Sequence, residues 1–143
     1  MDIGKRRIRY ESLTAKQKEI YNFQKVAALL AEFGFNCMKL PDDWKGADFI
    51  AHHIDGTTLR VQLKPRPSID KKYQYKELWI AFKAVGRWYF LPHDKLVVLV
   101  GENTPALQSA SWAKGFYSWK PNGTPAKLMK ALESHVIDQP LEK

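Results

Sequence analysis

Two short apolar runs, ADFIAHHI from Ala47 to Ile54 and TLRVQLK from Thr58 to Lys64, meet across Asp55-Gly56. No other feature limits the fold of this chain as much. Branched and aromatic residues in short runs bounded by turn formers read as strands, and Asp-Gly between them is a strong hairpin signal. Pro65 and Pro67 follow and end the second strand, because proline cannot donate to a sheet ladder. Strand side chains alternate between faces, so the length of the connection decides which residues share one. A two-residue loop pairs Asp48 with Leu63 and splits the polar positions Asp48, Gln62 and Lys64 between two faces. An odd loop places all of them on one face.

The remaining elements fall around this hairpin. Thr14 with Gln17 forms a capping-box pattern, and Ile20, Phe23, Val26, Ala27, Leu30 and Phe33 recur at helical spacing, so a helix is expected over 15–33. Gly34 is its natural stop. FNCMKL reads as a short strand broken at Pro41, with PDDWKG as a loop. KKYQYKELWIAFK and RWYFLP flank the turn-like AVG as a second hairpin. LVVLV reads equally as a strand or a short helix, TPALQSASW as a short helix, and GFYSW as a short strand. Thr124 caps a last helix, with Pro125 at its first position and Leu128, Leu132 and Val136 on one face. The expected class is α/β (α+β): a single domain, 1–143, with a central mixed β-sheet flanked by helices and a flexible basic arm over 1–13.

Charge narrows the function. The chain carries a formal +8 and a pI near 9.6, and a small basic domain is drawn to polyanions because neutralised phosphates release counterions. Charge does not by itself separate nucleic acid from an acidic protein or a membrane surface. No apolar run reaches the roughly 18 residues a membrane span needs, so no membrane partner is expected. The basic N-terminal stretch has no apolar run behind it, so no secretory signal is expected. Cys37 is the one cysteine, which excludes an internal disulfide and suits a reducing cytoplasm.

The order of a helix bearing Glu19, a strand opening on Asp48 and a strand carrying Gln62-Leu63-Lys64 resembles the PD-(D/E)xK nuclease superfamily, the restriction endonuclease-like fold. Its pattern is an aspartate at the head of one strand, then an acidic residue, any residue and lysine on the next. A helix glutamate often joins them. ELWIAFKAVGRWYFLPHDKLV looks like the strand pair and following segment of many small members, and the resemblance covers about residues 15–100. It implies a metal-dependent endonuclease that hydrolyses DNA phosphodiester bonds with Mg2+ or Mn2+. RNA is the alternative substrate, and by analogy the chain would be a homodimer or a subunit of a larger DNA-processing complex. Under this resemblance Asp48, Gln62, the Leu63 carbonyl and Glu19 would hold the metal. Asp48, Gln62, Lys64 and Glu19 would form the catalytic set.

The residue types suit that chemistry. Phosphodiester hydrolysis needs a divalent cation to offset charge on the phosphoryl oxygens and to acidify a water. Magnesium takes hard oxygen ligands and keeps several waters, so one or two carboxylates suffice. A lysine ammonium offsets the charge that develops. Gln62 departs from the pattern: an amide keeps an oxygen ligand but removes a negative charge. That shifts the burden to Glu19, which a helical wheel sets between Val26 and Leu30 on the apolar arc. There it would need a cation, either a metal or a core-edge lysine.

Other candidates are weaker. His52 and His53 are adjacent on a strand and point to opposite faces, so they cannot serve one metal. His93 reads as structural. Asp42 and Asp43 could stand in for Asp48, but Asp42 lies in a loop rather than at the head of an apolar strand. Arg66, Lys71, Lys72 and Lys76 interleave with Tyr73, Tyr75 and Trp79, a mixture suited to phosphate contact and base stacking, and equally to a solvated strand edge. Trp88, Trp112 and Trp119 read as core. Two other functions stay open: a nucleic-acid-binding module of the same fold without activity, and a basic protein-interaction domain.

Overall fold

The computed structural model describes residues 4–139. Helix α1 (Ala15–Ala31) leads into strands β1 (Phe35–Trp44), β2 (Ala47–His53) and β3 (Thr58–Lys64). A short strand β4 (Ser68–Asp70) precedes the hairpin of β5 (Leu78–Ala84) and β6 (Arg87–Pro92). Then follow α2 (His93–Asn103), α3 (Ala110–Ala113), β7 (Phe116–Ser118) and α4 (Ala126–Ala131). Five strands form one mixed sheet in the order β1-β2-β3-β5-β6, parallel only between β3 and β5. β4 and β7 pair separately. The class is α+β, with a mixed central sheet and helices against it.

α1 begins as its sequence dictates: Thr14 Oγ1 accepts the Gln17 amide N–H at 3.2 Å, and the Gln17 side chain accepts the Thr14 N–H at 2.9 Å. Its buried Val26 and Leu30 pack on Phe49, Ala51, Val61, Ala81 and Phe90, which line one face of the sheet. The opposite face presents Ile80, Phe82 and Leu91 to Leu96, Val97 and Val100 of α2 and to Leu128 of α4. This second face explains why LVVLV is helical. Its apolar side chains fall at helical spacing, and a sheet apolar on both sides must be covered on both.

Several expectations are corrected. β1 runs through Pro41 to Trp44, so most of PDDWKG is strand rather than loop; β1 is an edge strand, where a missing N–H is tolerated, and its register shifts between Lys39 and Trp44. KKY is a 3-10 turn, and β5 starts only at Leu78. Pro125 occupies the cap of α4, with Thr124 before it rather than serving as the cap. Leu128 and Leu132 are buried as expected, while Val136 leaves the helix to bridge Tyr89. Within the expected arm, Met1–Ile3 lie outside the described residues; Tyr10–Ser12 forms a 3-10 turn, and the Tyr10 hydroxyl accepts from Asn22 at 2.9 Å. Trp88 and Trp112 are core, as read. Among the described residues no helix is long and apolar enough to cross a membrane.

Candidate active site

The β2–β3 connection decides whether a site exists. Ile54, Asp55 and Gly56 form the loop between His53 and Thr57, with the His53 amide donating to the Thr57 carbonyl at 2.8 Å. Gly56 takes the left-handed conformation (φ 97°) and the Asp55 carboxylate accepts the Thr57 N–H at 2.8 Å, so both residues of the Asp-Gly signal are used. The loop is odd. Phe49 pairs with Val61, so one step further along the ladder Asp48 lies opposite Gln62, and Lys64 follows on the same side.

At this end the two strands join through a side chain. One carboxylate oxygen of half-buried Asp48, Oδ2, accepts the Leu63 backbone N–H at 2.8 Å. Burial pushes the Asp48 carboxyl above its ordinary value, the Leu63 amide and the Lys64 ammonium pull it back, and Asp43 and then Glu19 push it up again. The charged form is therefore under-compensated, and an added cation would stabilise it.

Gln62 is 4% exposed. Its Nε2 donates to the Tyr73 hydroxyl at 3.1 Å, and its Oε1 is buried with no hydrogen-bond partner. Leaving a buried acceptor unpaired costs about 1–3 kcal/mol. Lys64 closes the group, with its ammonium 5.9 Å from the centre of the Tyr73 ring. Gly46 supports Tyr73 from behind: at φ 88° it is left-handed, and a Cβ there would stand 3.1 Å from the ring and 2.8 Å from Leu78 Cδ1.

A hard cation fits this donor set. Asp48 offers a carboxylate whose ionisation burial disfavours, and across the ladder Gln62 offers an oxygen with no other partner. Among the described residues no three His, Cys, Asp or Glu side chains group closely enough to hold a metal; the second oxygen here belongs to an amide.

Glu19 lies elsewhere. Its carboxylate binds Lys39 at 3.0 Å and Lys16 at 3.8 Å, with the side chain 45% exposed, which corrects its expected burial. Burial on α1 begins at Asn22 and continues through Val26 and Leu30, so Glu19, on the same arc but in the exposed first turns, keeps its carboxylate at the end of the buried stripe. The Lys39 hydrogen bond holds Glu19 below the ordinary glutamate value.

The basic residues divide. Lys72 and Lys76 line a cleft of about 670 Å³ beside Tyr73. Lys71 turns the other way, its ammonium 5.3 Å from the Trp112 ring, and Arg66 is exposed just beyond β3. His52 and His53 are spent locally, on Thr58 Oγ1 and on the Phe33 carbonyl, both at 2.9 Å. His93 is structural: it is 1% exposed, its Nε2 accepts the Asp70 N–H at 3.1 Å, and burial lowers its pKa. Cys37 is half-buried, and burial pushes its thiol up to about 11.

Asp43, a stand-in candidate for Asp48 in the sequence, instead acts on it more strongly than Glu19 does. Three contributions are missing from the sequence reading: Tyr73 holds the Gln62 amide, and Arg60 and Lys45 reach the cleft beside it. No sequence spacing signals them, because each arrives from a different turn of the chain.

No family model and no curated protein matches the chain. Among solved structures it is similar to Hjc, a Holliday junction resolvase from the archaeal hyperthermophile Archaeoglobus fulgidus, with 17% identity and a TM-score of 0.45 over 54% of this chain and 74% of that one. It is also similar to the bacterial homing endonuclease I-Ssp6803I, with 14% identity and a TM-score of 0.47 over 81% and 85% of the two chains. At this level of likeness the chemistry has to be argued from the side chains themselves.

Proposed function

We propose that this chain is a divalent-metal-dependent nuclease that hydrolyses DNA phosphodiester bonds at Asp48, Gln62 and Lys64. The observation that carries the reading is the buried, unpartnered Gln62 Oε1 set across from an under-compensated Asp48 carboxylate. An orphaned acceptor beside a destabilised anion is unfavourable in the protein alone, and a cation relieves both defects.

Asp48, Gln62 and the Leu63 carbonyl would hold Mg2+ or Mn2+. Bound there, the ion would lower the pKa of a water and offset phosphoryl charge. The Leu63 amide fixes the Asp48 carboxylate by hydrogen-bonding one oxygen. Tyr73 fixes the Gln62 amide by accepting from its nitrogen, which leaves the oxygen free for a cation. The Lys64 ammonium would stabilise charge on a scissile phosphate. Glu19 is the reserve carboxylate: it is close enough to act on Asp48 electrostatically, and it would have to leave Lys39 to reach the ion. Action as a homodimer, or within a larger DNA-processing complex, belongs to the same proposal.

Incubation of plasmid DNA with Mg2+ or Mn2+ tests the reading. Nicking or linearisation that disappears in Lys64→Ala and Asp48→Asn is expected. DNA binding without cleavage under either metal would replace it with a binding module of the same fold. Negligible affinity for DNA even at low salt would remove nucleic acid altogether.

A further inference from the structure

We infer that the cleft beside the Asp48 site takes one unpaired nucleotide of a DNA strand, its base on Tyr75 and its phosphate among Lys45, Lys72 and Lys76. This rests on the nuclease reading for its position along the strand, but the pocket stands on its own observations. Its volume of about 670 Å³ lies within the range of roughly 300–1,000 Å³ typical of small-molecule sites. Four cations, with Arg60 the fourth, face two carboxylates, Asp43 and Glu77. Asp43 already accepts the Gly46 N–H at 2.7 Å, so the cleft favours an anion.

Tyr75 is the unusual member. It is 84% exposed, and it adopts φ 61°, a left-handed conformation that suits glycine rather than a bulky residue. Glu77 shares the strain at φ 56°. The segment between them is pinned from both sides. The Tyr75 amide donates to both oxygens of Asp94, at 3.2 and 3.0 Å, and the Arg60 guanidinium donates to the Lys76 carbonyl at 2.6 Å. A strained backbone that buries nothing and presents a phenol ring over a basic cleft has no packing purpose. The pinned backbone fixes the point from which the phenol projects, so a ligand has only the side chain to order.

The ring selects what can bind. Bases within a duplex are covered above and below by their neighbours, so only an unstacked base can lie on Tyr75. Tyr73 belongs to both sites, lining this cleft and holding the Gln62 amide. An unpaired nucleotide here is therefore adjacent to the phosphate that Asp48 and Lys64 would address. The substrate class is DNA with a single-stranded segment, such as a flap, gap or open junction, rather than a continuous duplex.

The test is anisotropy titration of the full chain, in a Lys64→Ala background that prevents cleavage, with dye-labelled single-stranded and fully paired oligonucleotides. A parallel series carries 2-aminopurine, whose fluorescence falls on stacking. Tighter binding of the single strand and quenching of 2-aminopurine are expected. Tyr75→Ala should lose roughly tenfold in single-strand affinity together with the quenching, and Tyr75→Phe should keep both. Equal affinity for the two forms, or quenching unchanged in Tyr75→Ala, overturns the inference. Cleavage of intact duplex without single-strand preference would sink this pocket and leave the nuclease reading standing. Single-strand stacking with no cleavage of any DNA would do the reverse.

Discussion

Glu19 and Asp48 each have a lysine beside them, yet their environments are opposite. Glu19 sits at the helix rim, half-exposed and hydrogen-bonded to Lys39, and its pKa is lowered. Asp48 is half-buried between two strands and accepts the Leu63 amide, and burial raises its pKa despite that amide and Lys64. The first carboxylate is satisfied by the fold. The second is left wanting positive charge, and the amide facing it has an oxygen in the same condition. A bound cation would relieve both of these groups, whereas the satisfied ion pair of Glu19 has nothing to gain from one.

The contrast breaks most visibly in activity. Lys64→Ala and Asp48→Asn are each expected to lower metal-dependent DNA cleavage by about a hundred- to a thousandfold, read as initial rates on supercoiled plasmid. Cleavage at the unmodified rate in either variant would place the site elsewhere. Gln62→Glu should come next. Restoring the missing charge is expected to lower the magnesium needed for half-maximal cleavage by about tenfold. It should also lower the melting temperature of the metal-free protein, because a second buried carboxylate joins Asp48.

Asp48→Asn sharpens the contrast through stability. A carboxyl whose pKa is raised on folding contributes stability that is fully present below its unfolded value of 3.8 and is lost as pH rises through the folded value. The asparagine variant should therefore melt higher than wild type at neutral pH. The gap should close as the pH falls toward 3.8, in thermal melts without metal. Added Mg2+ should raise the wild-type melting temperature and leave the variant unmoved.

Glu19→Gln should change least. Its exposed pair with Lys39 contributes below about 1 kcal/mol after solvent screening. With a lowered pKa, that small contribution is present above pH 4.5 and fades as pH falls through the folded value. Cleavage within about threefold of wild type would mark Glu19 as a surface partner of Lys39; a loss as large as that of Lys64→Ala would mean that it leaves Lys39 to join the metal.

What the sequence by itself determined is what neighbours along the chain can decide. Thr14 and Gln17 cap α1 because their side chains reach backbone groups within one turn. Asp55-Gly56 marks a hairpin because its turn chemistry is local, but only the folded chain shows a three-residue loop, which carries Asp48, Gln62 and Lys64 to one face. Helical spacing located α1 and the arc on which Glu19 lies, but could not say that the sheet covers this arc only from Asn22 onward, leaving Glu19 in the exposed first turns. Only the tertiary structure chose between strand and helix for LVVLV, since the need to cover the second face of the sheet is not written in the segment. Likewise, consecutive lysines look alike in sequence, yet a 3-10 turn sends Lys71 to Trp112 and Lys72 to Tyr73. The state of Gln62 was also settled in three dimensions. Its amide nitrogen is held by a tyrosine eleven residues away and its oxygen by nothing, and whether a buried polar atom has a partner depends on every element packed around it.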